Sequence, residues 1–229
     1  MSVKQHYVVA AVTLLIGGSL PACTLLAGGW GVLTIRDVPD HVVAGEPFEL
    51  TVAARGHGRV LSSGLSLLVQ AARQDRRVEA AAVPASRAGL YTASLTLPMP
   101  GEWTITLRSS SYGEQQALRL PLQAIARGAT PPVLSAEDRG QRLFLAKGCA
   151  TCHRHASVAS NHPAPVGPPL MDKTYSREFL NARLRPGPQV GAPASGVTPW
   201  TMPDLELSPG EIESLVAFLL PQAQAHSGK

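Results

Sequence analysis

Apolar residues alternate with polar or small residues along much of the first half of the chain. Four segments have this two-residue period, with apolar members Phe48, Leu50 and Val52; Tyr91, Ala93, Leu95 and Leu97; Trp103, Ile105 and Leu107; and Leu118, Leu120 and Leu122. Because successive side chains point to opposite faces of a strand, each segment predicts a strand with one buried face. Further apolar runs of strand length lie at residues 32–36, 65–70 and 77–83.

About seven short strands in some 95 residues favour an immunoglobulin-like β-sandwich over residues 32–124. A turn is predicted at Pro98-Met99-Pro100-Gly101, because the prolines cannot donate to a central ladder and glycine tolerates a positive φ. These residues therefore predict an all-β domain. In the rest of the chain the apolar residues recur with a different period.

The last part of the chain has a helical pattern. Ile212, Leu215, Val216 and Leu219 form one apolar face. The preceding residues predict the start of this helix, because Ser208 suits the N-cap, Pro209 the first helical position and Glu211 the third.

An earlier helix is predicted to begin after Ser135, an N-cap residue followed three positions later by Asp138. Residues 135–229 therefore predict an all-α domain. Residues 125–134 form the linker, in which Thr130 and two prolines favour an extended chain.

The N-terminal 31 residues predict an export signal or anchor. No charged side chain occurs from residue 7 to residue 35, and the apolar core at residues 8–20 is shorter than the roughly 20 residues that span a membrane. Leu20-Pro21-Ala22-Cys23 resembles the bacterial lipobox, which implies lipidation of Cys23; an uncleaved anchor helix is the alternative. Either way, the rest of the chain is expected to be tethered to a membrane and to face the periplasm or another extracytoplasmic compartment.

Composition and charge narrow the function further. The chain has 229 residues, 45% of them hydrophobic, which favours two folded domains. A net charge of +4 from 20 basic and 16 acidic residues, without a basic cluster, argues against nucleic acid as a partner. Three cysteines are an odd number, which argues against a disulfide framework.

Two of these cysteines belong to a sequence motif for cofactor attachment. Cys149, Cys152 and His153 form Cys-x-x-Cys-His, the attachment sequence of c-type haem. Two thiols one helical turn apart suit thioether bonds to the two vinyl groups of one porphyrin edge, and the following imidazole reaches the iron. One covalently attached haem c is therefore predicted, with His153 as the proximal ligand.

From residue 135 to residue 221 the sequence resembles class I cytochrome c. The resemblance implies that Met202, in a Met-Pro loop 49 residues after His153, is the second axial ligand, and it is favoured over Met171. It also implies that the carbonyl of Pro168 accepts the Nδ1 proton of His153. Trp200 is a candidate to line the haem.

The same family places a glycine and aromatic residues where its first and last helices cross. Gly140, Phe144 and Phe218 are the matching residues here. We expect them to let the two helices approach closely.

The cysteine motif has two other interpretations. Cys149 and Cys152 with His155 and His162 make a Cys₂His₂ zinc set. A thiol–disulfide pair is the other, although no βαβ context surrounds it. The zinc set leaves unexplained His153, Met202 and the segment Gly167-Pro168-Pro169-Leu170.

Residues 44–48, 89–91 and 100–105 resemble the YtkA-like and FixH-like exported β-sandwich modules. Some relatives of this kind are associated with copper or with respiratory oxidases. His41, His57 and Met99 are therefore candidate soft-metal ligands, although they do not form a cluster with ligand spacing.

Together these patterns predict a membrane-tethered monohaem cytochrome that carries single electrons in a respiratory chain towards a terminal oxidase. Its expected partners are redox proteins, a quinol- or cytochrome-linked donor and a terminal oxidase. It is not expected to be an enzyme, because His/Met ligation fills both axial positions of the iron. The alternative is a haem-bearing subunit, or an assembly or metal-handling module, of a larger respiratory complex.

Overall fold

The computed structural model describes residues 31–56, 60–112, 117–159, 167–170, 175–185 and 202–220. Apart from Gly31, the predicted signal or anchor segment lies outside the described residues. So do five residues singled out above, namely Cys23, His57, His162, Met171 and Trp200. In the part of the chain that is described, no helix has the length and apolar character needed to cross a membrane.

Nine strands within the described ranges form one continuous, curled sheet over residues 31–125, here called the β-domain. The strands are β1 (Gly31–Ile35), β2 (His41–Val43), β3 (Pro47–Gly56), β4 (Val60–Leu61), β5 (Leu67–Arg73), β6 (Arg76–Pro84), β7 (Leu90–Thr96), β8 (Gly101–Ser109) and β9 (Leu118–Ile125). Their order in the sheet is β1-β3-β7-β6-β5-β8-β9-β2, with β4 paired to β3.

Strand β6 connects the two halves of this sheet. It pairs with β5 from Arg76 to Ala82 and then with β7 through Val83 and Pro84. The sheet therefore curls around a single core, which takes the apolar side chain of nearly every alternating position predicted from the sequence, including the fully buried Trp103.

The predicted β-rich domain is confirmed, with two short strands that the sequence did not indicate. Strand β2 has three residues and lies parallel to β9, and β4 has two residues. Elements of this length are too short to show a period, because backbone pairing rather than side-chain alternation defines them. The narrower immunoglobulin-like assignment stays a prediction.

Residues 136–220 form the helical domain. Its helices are α1 (Ala136–Ala146), α2 (Cys149–Cys152), α3 (Arg177–Leu184) and α4 (Pro209–Leu219). The two predicted N-caps are confirmed: Ser135 Oγ accepts from the Asp138 N–H at 3.0 Å, and Ser208 forms a reciprocal capping box with Glu211. Helix α3 was not predicted, because it is short and only Leu180 and Leu184 are buried.

Helices α1 and α4 cross in direct contact. A Cβ atom at Gly140 would overlap the carbonyl oxygen of Ser214 and lie 2.7 Å from Cβ of Phe218. The rings of Phe144 and Phe218 pack beside this point, 5.6 Å between centroids. The predicted crossing at Gly140 is thus confirmed, and only a residue without a side chain allows it.

The two domains also pack against each other. Arg139 of α1 donates to both carboxylate oxygens of Asp40, at 2.7 and 3.2 Å, and Arg142 donates to the backbone carbonyls of Pro39 and Asp40, each at 2.8 Å. Ala146, at the end of α1, is completely buried in the core of the β-domain. The exposed segment at residues 126–133 therefore joins two domains that are already in contact.

Candidate functional site

The cysteine motif lies on a short helix that the β-domain holds in place. Gly148 precedes α2 with φ +71°, a left-handed conformation that favours glycine. A Cβ atom there would also lie 2.5 Å from Val32 Cγ1 and 2.9 Å from the carbonyl oxygen of Leu33. The turn into α2 thus needs glycine both for its backbone and for its contact with β1.

Helix α2 places Cys149 and Cys152 one turn apart, and both are free thiols. Burial raises the pKa of Cys149 to about 12, with a further contribution from neighbouring Cys152, and burial raises the pKa of Cys152 to about 11. Both side chains are therefore thiols at neutral pH, and a thiol is a weaker nucleophile than a thiolate.

His153 directly follows Cys152, and the loop that contains Gly167 and Pro168 fixes the orientation of its imidazole ring. Its Nδ1 lies 2.9 Å from the carbonyl oxygen of Pro168. Gly167 approaches the imidazole so closely that a Cβ atom would lie 2.5 Å from its Nδ1, and the N–H of Gly167 donates to the Cys152 carbonyl at 2.8 Å. The contact expected from the Gly-Pro-Pro-Leu segment is present in the structure.

The protonation of His153 follows from these surroundings. Burial lowers the pKa of its imidazole, and the hydrogen bond to the Pro168 carbonyl opposes that effect. In the neutral form, donation from Nδ1 to Pro168 leaves the lone pair on Nε2. A histidine that ligates a metal through Nε2 typically has this arrangement.

Met202 is half-buried in the loop before α4. It packs against the apolar cluster of the helical domain, to which Cys149 and Phe144 belong. Trp200, the candidate for lining the haem, is among the residues that the structure does not describe. The site as described therefore brings Met202 and the cysteine helix to one cluster.

His155 has a packing role in this cluster. Its ring lies 4.4 Å from that of Phe218 and 5.7 Å from that of Phe144, between centroids. Its Nδ1 contacts Ser157 Oγ at 3.0 Å. Across the ranges described, no group of three or more His, Cys, Asp or Glu side chains is placed to hold a metal ion, and His162 of the zinc alternative lies outside them.

The candidate soft-metal ligands of the β-domain have other contacts. Met99 Sδ accepts from Arg73 at 3.0 Å, and the Met99 carbonyl accepts from Trp103 Nε1 at 3.0 Å. His41 is half-buried on β2, with an Nδ1 atom that has no hydrogen-bond partner among the described residues.

Sequence reasoning missed the contacts that join four residues beside the site. Lys147, 4% exposed, forms an ion pair of 2.6 Å with Glu211 of α4 and donates to the backbone carbonyl of Arg36. Arg36 also forms an ion pair with Glu206, at 2.8 Å. Nothing in the sequence could have indicated these pairs, because their members lie far apart along the chain.

The donor set fits covalently attached haem. Two free thiols one turn apart, an imidazole of fixed orientation and a thioether sulfur are the groups that hold haem c with His/Met ligation. The helical domain therefore has the features of a haem-binding domain of the c type. In agreement, the family model for cytochrome c matches residues 137–222. This match supports a cytochrome c domain in the C-terminal part of the chain and a haem-based electron-transfer role.

A search of curated proteins found no match. Among solved structures, the ZirS C-terminal domain is 10% identical with a TM-score of 0.32, over 55% of this chain and 86% of that one. The PKD domain of the human receptor SorCS2 is 15% identical with a TM-score of 0.30, over 57% and 100%. A match to a Bacteroides vulgatus protein covers 39% of this chain and 17% of that one, with 17% identity and a TM-score of 0.32. These similarities are too weak to assign the β-domain to a family.

Proposed function

We propose that this protein is a membrane-tethered monohaem c-type cytochrome that transfers single electrons in a respiratory chain, towards a terminal oxidase. The observation that carries the proposal is the arrangement of His153, whose Nδ1 is bonded to Pro168 beside two free cysteine thiols. A histidine held in this way presents Nε2 to an iron atom.

Each residue of the site has a separate task. Cys149 and Cys152 would attach the haem through thioether bonds, and His153 and Met202 would be its axial ligands. The haem supplies one-electron redox chemistry at the iron. Pro168 fixes the tautomer of His153, and the aromatic pair Phe144 and Phe218 keeps the neighbouring core apolar.

Ligation by a thioether favours ferrous iron and raises the reduction potential. If His153 and Met202 both ligated the iron, no position would be left for a substrate, which favours an electron carrier over an enzyme. A high potential is consistent with a quinol- or cytochrome-linked donor and a terminal oxidase as acceptor.

The membrane tether rests on the sequence of residues 1–31 and the lipobox-like segment that ends at Cys23. Labelling with a radioactive fatty acid tests it, because lipidation at Cys23 predicts incorporation that Cys23→Ser abolishes. Solubilisation in a mild detergent then separates a lone carrier from a subunit of a larger complex, which would purify with integral partners.

The haem ligands are tested on the full chain, produced in cells that attach c-type haem. We expect the mass of one haem and a clearly positive potential. Met202→Ala should lower the potential and open the iron to external ligands, whereas Met99→Ala, the matched change in the β-domain, should leave both unchanged. A protein without haem, or a potential that Met202→Ala does not alter, would contradict the assignment.

A further inference from the structure

Arg36 of the β-domain contacts the chain on both sides of the haem site. Its backbone carbonyl accepts from Lys147 Nζ, two residues before Cys149. Its guanidinium forms an ion pair with Glu206, four residues after Met202, at 2.8 Å. One residue of the β-domain is thus bonded both to the segment that enters the cysteine helix and to the loop that carries the predicted second ligand.

Glu206 is the point at which the β-domain holds this loop. Its carboxylate binds Arg36 at 2.8 Å and Arg87 at 3.3 Å, and 33% of its side chain is exposed. Burial opposes ionisation, but the charges of Arg36 and Arg87 outweigh it, and the pKa of Glu206 is lowered. Glu206 is therefore an anion between two cations at neutral pH.

The backbone at Glu206 is also unusual. Its φ is +54°, in the left-handed region that non-glycine residues rarely occupy. Its N–H donates to Asp204 Oδ1 at 2.8 Å, which closes a tight turn within the loop. A left-handed conformation is strained for a residue other than glycine.

The two residues on either side of Glu206 contact the helical domain. Leu207 is buried in the apolar cluster of the helical domain, and Leu205 packs against the same cluster. The loop that begins at Met202 is therefore fixed by apolar contacts to the helical domain and by charge to the β-domain. Without the ionic contact, only the apolar side of the loop would be held.

We propose that Glu206, bound by Arg36 and Arg87 of the β-domain, is a positioning residue that retains Met202 on the haem iron. The inference rests on the proposed function and assigns a task to the β-domain, which is to restrain the ligand loop of the domain beside it. It predicts that weakening this contact releases Met202 more often, without removing the ligand itself.

Glu206→Gln in the haem-loaded full chain tests the inference, with Glu46→Gln as the matched control. Glu46 also pairs with an arginine, Arg127 at 3.0 Å, but that pair is exposed and lies outside the ligand loop. We measure the affinity of the ferric protein for external imidazole and the near-infrared absorption band of thioether-ligated ferric haem. Glu206→Gln should raise the imidazole affinity about three- to tenfold, the effect expected of a partly exposed ion-pair network, and weaken the band. Glu46→Gln should change neither.

A double variant shows whether Glu206 acts through Arg36. If it does, Arg36→Gln combined with Glu206→Gln should have little more effect than Glu206→Gln alone. Fully additive effects would overturn this part of the inference. If Glu206→Gln does not fold, Arg87→Gln replaces it in this test. This variant removes only the more exposed cation, so the imidazole affinity should rise about threefold, the lower end of the range given above.

The outcomes separate this inference from the proposed function. If the parent protein lacks haem or the thioether band, the proposed function fails. If the parent has the band but Glu206→Gln binds imidazole as Glu46→Gln does, the proposed function stands and the positioning role of Glu206 is refuted.

Discussion

The close crossing of α1 and α4 can be tested by adding one methyl group at either of two glycines. Gly140 lies in the middle of α1 at the crossing, and Gly210 lies in the first turn of α4. A Cβ atom at Gly140 meets the backbone of Ser214, whereas nothing lies within 4 Å of a Cβ atom at Gly210. Gly→Ala at the two positions therefore makes the same chemical change in opposite surroundings.

The expected magnitudes follow from these contacts. Replacing glycine by alanine in a helix stabilises it by about 0.4–1 kcal/mol. At Gly140 the added Cβ would lie 2.7 Å from Phe218 Cβ and from the Ser214 carbonyl carbon, against 3.4 Å or more in ordinary contacts. The helices must separate by more than half an ångström, and a gap of that size loses roughly a quarter to a half of the dispersion energy at the contact.

Added to a typical overpacking cost of about 1–3 kcal/mol, this loss outweighs the gain in helix propensity. We expect Gly140→Ala to lower the free energy of unfolding by about 2–3 kcal/mol and the melting temperature by roughly 5–10 °C. Gly210→Ala should leave the stability unchanged or raise it by up to about 1 kcal/mol.

Thermal and urea unfolding of both variants, followed by far-ultraviolet circular dichroism and by haem absorbance, measures the difference. Equal melting temperatures for Gly140→Ala and Gly210→Ala would refute the reasoning, because they would show that α1 and α4 have room for a methyl group at the crossing.

Three further predictions concern the other contacts. Lys147→Met should lower the free energy of unfolding by about 3 kcal/mol, because it leaves Glu211 and a backbone carbonyl without their buried partner; an unchanged urea midpoint would contradict this. Asp40→Asn should cost about 0.5–1 kcal/mol at pH 7. The hydrogen bond from Arg139 lowers the pKa of Asp40, so protonation of the carboxylate on acidification removes this stabilisation. The difference in stability between Asp40→Asn and the parent should therefore decrease as the pH falls below about 4. A difference that does not depend on pH in urea titrations would rule this out. Ser208→Ala removes the N-cap of α4 and should cost about 1 kcal/mol in thermal unfolding, and no loss would show that the cap is dispensable.

Features that depend on near neighbours were predictable from the sequence. The alternating strands, the N-caps at Ser135 and Ser208 and the cysteine helix each follow from residues within a few positions of one another. The crossing at Gly140 was predictable only through the resemblance to a family, since no local pattern connects Gly140 with Phe218.

The contacts between the domains could not be predicted in this way. Asp40 and Arg139 are 99 residues apart, and Arg87 and Glu206 are 119 residues apart. In sequence they look like ordinary surface charges, and only the path of the folded chain brings them together. Ala146 shows the same difficulty, since it ends a helix of one domain but is buried in the core of the other.

The exposed segment between Ile125 and Ala136 contributes to how firmly the domains stay together. Ion pairs with partly exposed members are individually worth at most about 1 kcal/mol, too little to hold two dilute molecules together. A tether of this length instead keeps the partners at an effective concentration on the order of millimolar. A proteolytic cut at the exposed Arg127 would leave every contact between the domains intact. It would still turn a concentration-independent association into one that weakens on dilution.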